Sequence, residues 1–281
     1  AYINESELRD LPMCPHCGVE EKKNKLSPHY TTKLDKVSGE VISQIEHKPI
    51  MINYSVDKKR HIKLVKLEDV EKSENMEIPF LDLIPDNFLI DGVETKRNEK
   101  YGFTKTHHFY TQRTLYFISI YLKEIDGFSQ KNHFIFLLTA ILPKLTKLNR
   151  YMPQHGSRAL VGPMANTLYL PPIFVENNFI QQLDFQFKKI VKALRFTSQQ
   201  LVSQQSATDL KNISSNCIDY IFIDPPFGAN IMYSELNNLS ESWLKVLTNN
   251  KEEAIESKGQ NKDKFDYESL MIKSFNELYR V

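Results

Sequence analysis

The run Asp224-Pro225-Pro226-Phe227, followed by Gly228, is the part of this sequence best equipped for chemistry. Two successive prolines have no N–H donors and a fixed φ, so they make a stiff loop whose carbonyls stay free to accept hydrogen bonds. The Asp224 carboxylate and the Pro225 carbonyl are then two fixed acceptors, suited to gripping both hydrogens of an exocyclic amino group. That grip draws the nitrogen out of conjugation with its ring and frees its lone pair for attack on a methyl sulfonium. Phe227 offers a flat apolar face on which a base can stack, and Gly228 leaves room for close approach. A base handled in this way must first be flipped out of its duplex. The bland alternative is a tight surface turn. Two features weigh against it. Ile218-Asp219-Tyr220-Ile221-Phe222-Ile223 reads as a strand of the buried parallel kind, which puts Asp224 at a carboxyl end, where open α/β sheets bind ligands. A second acid, Asp209, lies fifteen positions upstream, after a candidate strand near Leu201-Val202. Its own bland alternative is a helix cap before Leu210.

A second constellation is Cys14-Pro15-His16-Cys17-Gly18. This is the shape of a zinc knuckle, two thiolates brought to one metal by a turn. Structural zinc needs four ligands, so Cys14 and Cys17 make only half a site, and His29, His47 and His61 are not paired at ligand spacing. A redox dithiol is the alternative; it fits poorly, because no strand precedes the motif and no helix clearly follows. Cys217 reads as a small buried apolar residue. Three cysteines make no disulfide framework.

The elements that must position these residues follow from periodicity. Val41–Ile45 and Ile50–Val56 alternate as short strands, with Lys22–Lys25 and Lys58–Arg60 as polar connections. Residues 76–105 are loop-rich. Helical spacing appears over Thr111–Ile125, from Lys131 towards Asn149 with a bend or break at Pro143, and over Glu176–Phe196, whose one face carries Phe179, Leu183, Phe187, Ile190, Val191 and Leu194. Helices over Tyr233–Leu247 and Tyr267–Tyr279 follow the Asp-Pro-Pro-Phe loop. Strand, loop, helix, loop, helix is the cadence of half a doubly wound sheet. Three stretches emerge: a β segment with the cysteines at 1–60, a mostly helical insertion at 61–196 that could place DNA, and a catalytic half at 197–281.

Net charge is only +1, so bulk composition carries no nucleic-acid signature. Local groups do stand out: Lys96, Arg97, Lys100, Lys105, His107, His108 and Arg113; Lys144, Lys147, Arg150, His155 and Arg158; Lys188, Lys189, Lys192 and Arg195. Solvated faces explain any one of them equally well. No apolar run approaches the roughly 20 residues of a membrane span, and no secretory signal opens the chain, so the cytoplasm is the expected compartment.

Residues 203–247, from Ser206-Ala207-Thr208-Asp209-Leu210 through Asp224-Pro225-Pro226-Phe227-Gly228 to Met232-Tyr233-Ser234-Glu235-Leu236-Asn237, resemble the bacterial adenine-specific DNA methylases that contain a zinc ribbon. Gly102-Phe103-Thr104, His107-His108-Phe109-Tyr110-Thr111, Lys147-Leu148-Asn149-Arg150 and Thr167-Leu168-Tyr169-Leu170-Pro171 are similar to further segments of that family. The resemblance implies an α/β class I S-adenosylmethionine-dependent methyltransferase, a Rossmann-like doubly wound sheet with an inserted zinc-knuckle and helical region. It implies that Asp224, the Pro225 carbonyl, Pro226 and Phe227 take the amino group of a flipped adenine in DNA. It places Asp209 against the cofactor's adenine and gives Cys14 and Cys17 to zinc, with restriction or phage-defence proteins as possible partners. The cytosine amino group presents the same geometry, and a zinc-ribbon nucleic-acid binding module without catalysis is the reading from another class. RNA or protein glutamine could also offer such an amino group, although proteins acting on glutamine more often resemble an Asn-Pro-Pro-Tyr version. The sequence departs from the family in two ways. Asn238 and Ser240 stand where relatives tend to be apolar or aromatic. The family's glycine-rich cofactor loop is missing: the nine glycines come no closer than Gly156 and Gly162, six apart. Since residue 1 is Ala and the pattern stops abruptly at Val281, the expectation is a fragment holding the catalytic half of the site, inactive by itself.

Overall fold

In a computed structural model, the structure describes residues 18–20, 27–57, 59–152, 160–193 and 202–281. Cys14, Cys17 and the candidate strand residue Leu201 lie outside the described residues. Strand β1 (Tyr30–Leu34) pairs antiparallel with β2 (Val41–Ile45), and β3 (Met51–Val56) with β4 (Lys59–Leu64). Helices α1 (Leu67–Glu74), α2 (Val93–Glu99), α3 (Gln112–Ile125) and α4 (Lys131–Leu145) follow, with a 3-10 turn at Thr106–Phe109. The two-residue strands β5 (Arg150–Tyr151) and β6 (Leu160–Val161) pair next. Helices α5 (Phe179–Ala193), α6 (Tyr233–Leu244) and α7 (Lys264–Arg280) complete the order.

The core is helical. Apolar residues at helical spacing bring Leu115 and Ile118 of α3 against Leu138, Ile141, Leu142 and Leu145 of α4. Leu239 and Trp243 of α6 join them, beside Phe103 and Phe109 packed edge to face at 5.1 Å. Thr111 caps α3 by accepting from Thr114 N. Pro143 does not break α4, which ends two residues beyond it. Phe179 is the buried anchor of α5, but Phe187 and Val191, expected on the same inward face, are exposed.

The fold is mixed α/β, as expected, but its sheets are antiparallel pairs, and no doubly wound parallel sheet occurs among the described residues. The expected strand Ile218–Ile223 is a correction. It is not in a strand, and Tyr220 and Phe222 are 80% and 83% exposed. The physical reason is partnership: a fully apolar strand needs hydrogen-bonded neighbours on its edges and layers on its faces, and no described segment supplies them. Its beginning is held instead by the C-terminus of α7, where Asn216 N donates to Arg280 O, and Cys217 N and Ile218 N donate to Val281 O. Cys217, expected to be buried, is exposed and donates its thiol to Ser214 O. Asn238, a polar residue where relatives of the resembled family tend to be apolar or aromatic, is fully buried in α6, and neither of its side-chain polar atoms has a partner among the described residues.

Candidate functional site

The end of α7 builds one wall of a cleft. Arg280 pairs with Glu277 at 2.9 Å and donates to Leu210 O and Ile213 O, while Glu277 accepts from Leu210 N. The Arg280 guanidinium, aided by the Leu210 N–H, holds the Glu277 carboxyl down to about 2. These contacts fix residues 210–213, and with them Ser206–Thr208 just upstream. Ser206–Thr208 and Ile223–Pro226 line a single cleft of about 300 Å³, closed by Met271, Phe275 and Leu278 of α7.

The Asp224 loop is fastened at its far side. Tyr267 donates its hydroxyl to Pro226 O at 2.8 Å, and Glu256 N donates to Gly228 O at 3.2 Å. Gly228 has φ +53°, a left-handed conformation that favours glycine, and a Cβ there would meet the Glu256 carboxylate at 3.0 Å. Asp224 is exposed and makes no ion pair or hydrogen bond among the described residues. Phe227 is 67% exposed. Of the two proline carbonyls, Tyr267 takes that of Pro226, and none of the described donors takes that of Pro225. Asp209 behaves differently. Its carboxylate pairs with Lys211 at 3.0 Å, which lowers its pKa, and it does not line the cleft. Four of the five candidates on the described residues therefore gather at one loop, and the fifth lies just outside it.

Two polar constellations went unnoticed as units in the sequence. Asp35, His107 and His108 are buried with ligand-type atoms within 4.8 Å of one another. By residue type they could hold a metal ion, but the hydrogen bonds favour protons. His108 Nδ1 accepts from Thr104 N and Lys105 N, so its proton sits on Nε2 and points at Asp35 Oδ2, 3.3 Å away. Both ring nitrogens of His107 face oxygen: Pro85 O at 3.0 Å and Asp35 Oδ2 at 2.6 Å. Burial alone would raise the Asp35 carboxyl. Hydrogen bonds from His107, His108 and Ser38 outweigh it and hold the group well below the usual carboxylate range. Burial lowers His108, in keeping with a neutral ring. The cluster is a hydrogen-bonded tie between the β1–β2 turn and the 3-10 turn. His107 and His108 were legible only as members of a basic group; Asp35, seventy-two positions earlier, carried no signal.

The second is Glu235 of α6, fully buried, which accepts from the backbone of Val93, Glu94 and Thr95 at 3.2, 2.7 and 3.1 Å. Burial raises its pKa against those three bonds. A carboxylate against the first N–H groups of α2 satisfies donors that the helix itself cannot. A Cβ at Gly92 would overlap that carboxylate, so this close approach requires glycine.

The basic groups of the sequence do not form one basic face. Lys96 pairs with Asp91, Arg97 with Glu94, Lys105 with Glu40, Arg113 with Glu176 and Lys188 with Asp184. No helix among the described residues is long and apolar enough to cross a membrane. No family model, no curated protein and no solved structure matches this chain.

Proposed function

We propose that this chain supplies the amine-handling part of an S-adenosylmethionine-dependent methyltransferase acting on the exocyclic amino group of adenine in DNA. The observation that carries the reading is the Asp224 loop itself. A carboxylate and an adjacent carbonyl, neither with a partner among the described residues, stand on a doubly fastened loop at the lip of a cleft. Preorganised acceptors of this kind hold an amino group without reorganising at the moment of reaction. Phe227, already exposed, provides the stacking surface. The cleft, at the low end of the roughly 300–1,000 Å³ typical of ligand sites, suits a group the size of a nucleobase.

The described residues do not by themselves fit the methyl donor. Asp209 is engaged by Lys211, and no two glycines come closer in sequence than six positions, so no glycine-rich loop is present to cradle the donor. The reading therefore gives donor binding to polypeptide beyond these residues, and to this chain the positioning of the acceptor amine. In the same reading Ile218–Ile223 is a strand of a doubly wound sheet that such polypeptide completes. Cys14 and Cys17 remain half of a proposed zinc site.

Single-turnover transfer of labelled methyl to duplex DNA, by the enzyme containing this chain, tests the proposal. Asp224→Ala should slow transfer by about a hundredfold or more, as removal of one preorganised hydrogen-bond partner does elsewhere. Its DNA affinity should change little, because affinity rests largely on phosphate contacts. Phe227→Ala should weaken capture of the flipped base, where stacking is worth about 1–3 kcal/mol; Phe227→Tyr and Phe227→Trp should retain activity. A wild-type rate in Asp224→Ala would reduce the loop to a turn.

A further inference from the structure

The hairpin β3–β4 stands apart from the rest of the fold. Every residue of β4 is exposed, and every residue of β3 except Ile52. An isolated two-stranded ribbon is only marginally stable in water, and no sheet or helix among the described residues covers either face of this one. Its register pairs Val56 with Lys59, Tyr54 with His61 and Ile52 with Lys63, and directly opposed residues share a face. One face therefore carries Lys59, His61 and Lys63 in a row, about 7 Å apart, with the Tyr54 and His61 rings stacked at 5.4 Å. Arg60 projects from the other face. Residues 51–64 hold four cations and a single acid, Asp57, at the turn. Lys63 is shared with Asp69, whereas Lys59 and Arg60 have no ion pair among the described residues. Lys96, Arg97, Lys105, Arg113 and Lys188 of the more obvious basic groups are paired with acids, whereas on this ribbon two adjacent cations stand exposed without one.

The geometry points to β3–β4 as a ribbon that enters the major groove of duplex DNA. That groove is about 12 Å wide and admits a two-stranded ribbon. Six-residue strands give a blade about 20 Å long. Lys59 and Arg60, on opposite faces near the tip, reach phosphates on the two groove walls. The inference deepens the methyl-transfer reading by naming the surface that holds the duplex, and it rests on that reading for the choice of DNA.

Fluorescence anisotropy with a labelled 20-base-pair duplex and the 281-residue chain, repeated over a range of salt, tests it. Lys59→Ala/Arg60→Ala should weaken binding about tenfold or more and reduce the slope of log K against log salt by about 2. Lys59→Arg should bind as the parent does. Lys188→Ala/Lys189→Ala on α5 should change little. Duplex RNA of the same sequence should bind more weakly, because its deep, narrow major groove excludes such a ribbon. Because the hairpin lies outside the core, the melting temperature should hold in every variant. Unchanged DNA binding in Lys59→Ala/Arg60→Ala overturns the ribbon, as does loss carried by the α5 pair, equal binding of duplex RNA, or no duplex binding at all. Failure of the methyl-transfer reading shows separately, as an unchanged transfer rate in Asp224→Ala.

Discussion

Lys147 is buried beneath the 3-10 turn, where its Nζ donates to His108 O at 2.9 Å and lies 5.2 Å from the centre of the Phe103 ring. Burial, and to a lesser extent the charge on Lys33, lowers it to about 7 against the pull of Glu176 and Asp35. The sign of the pH effect follows from linkage. Between the folded value and the ordinary value near 10.5, the unfolded chain holds a proton that the folded chain has released. Stability must then rise with pH over that interval, by at most about 1.4 kcal/mol per unit, and below pH 7 this contribution levels off. Lys147→Met removes the titrating group but strands the His108 carbonyl, at a cost of roughly 1 kcal/mol or more. Denaturant melts of both proteins at pH 7, 8 and 9 should show the parent gaining on Lys147→Met at each step. Parallel curves would mean that the ammonium stays charged in the fold. Nothing in Lys147-Leu148-Asn149-Arg150 foretells this, because burial comes from Phe103 and His108, distant in sequence. The Asp224 loop was legible for the opposite reason: two prolines stiffen the backbone whatever surrounds them.

Helices were the most readable elements, because their hydrogen bonds are local and their apolar stripes repeat within one window. Strand β4 was missed: Lys59-Arg60-His61-Ile62-Lys63-Leu64 has the composition of a solvated loop and forms a ladder only because β3 lies opposite. The joint between α2 and α6 was equally hidden, since Gly92 and Glu235 are 143 positions apart. That joint fixes the helix that follows the Asp224 loop to the middle of the chain. Glu235→Gln keeps the size of the side chain but turns an amide N–H₂ towards backbone donors, and should cost about 1–3 kcal/mol. Gly92→Ala should also be destabilising, because its methyl overlaps the carboxylate. In a Glu235→Ala background that overlap disappears, so the cost of Gly92→Ala should shrink. A double-mutant cycle measured by urea denaturation should return a coupling of about 1 kcal/mol or more. Simple additivity would show that the two helices are not docked through this carboxylate.

At the scale of the whole molecule, hydrophobic surface and sequence pattern disagree at the run before Asp224, as they do on the outer face of α5. Residues 218–223 have the composition of a central strand, yet Tyr220 and Phe222 are almost fully exposed and the run makes no strand pairing among the described residues. The core that holds the chain together lies elsewhere, among α3, α4 and α6 with Phe103 and Phe109. A surface substitution away from that core is worth at most about 0.5 kcal/mol either way, whereas a carboxylate forced into a buried strand costs several times more. Phe222→Glu separates the two. In the 281-residue chain it should leave the melting temperature essentially unchanged and reduce self-association, because it breaks an exposed apolar run of high β-propensity. In an enzyme where this run pairs inside a doubly wound sheet, the same change should destabilise strongly. Differential scanning calorimetry of the chain decides its half of the argument. A drop of several degrees with Phe222→Glu would show that the run is buried in solution, as its composition suggests, and would place Asp224 at the end of a formed strand.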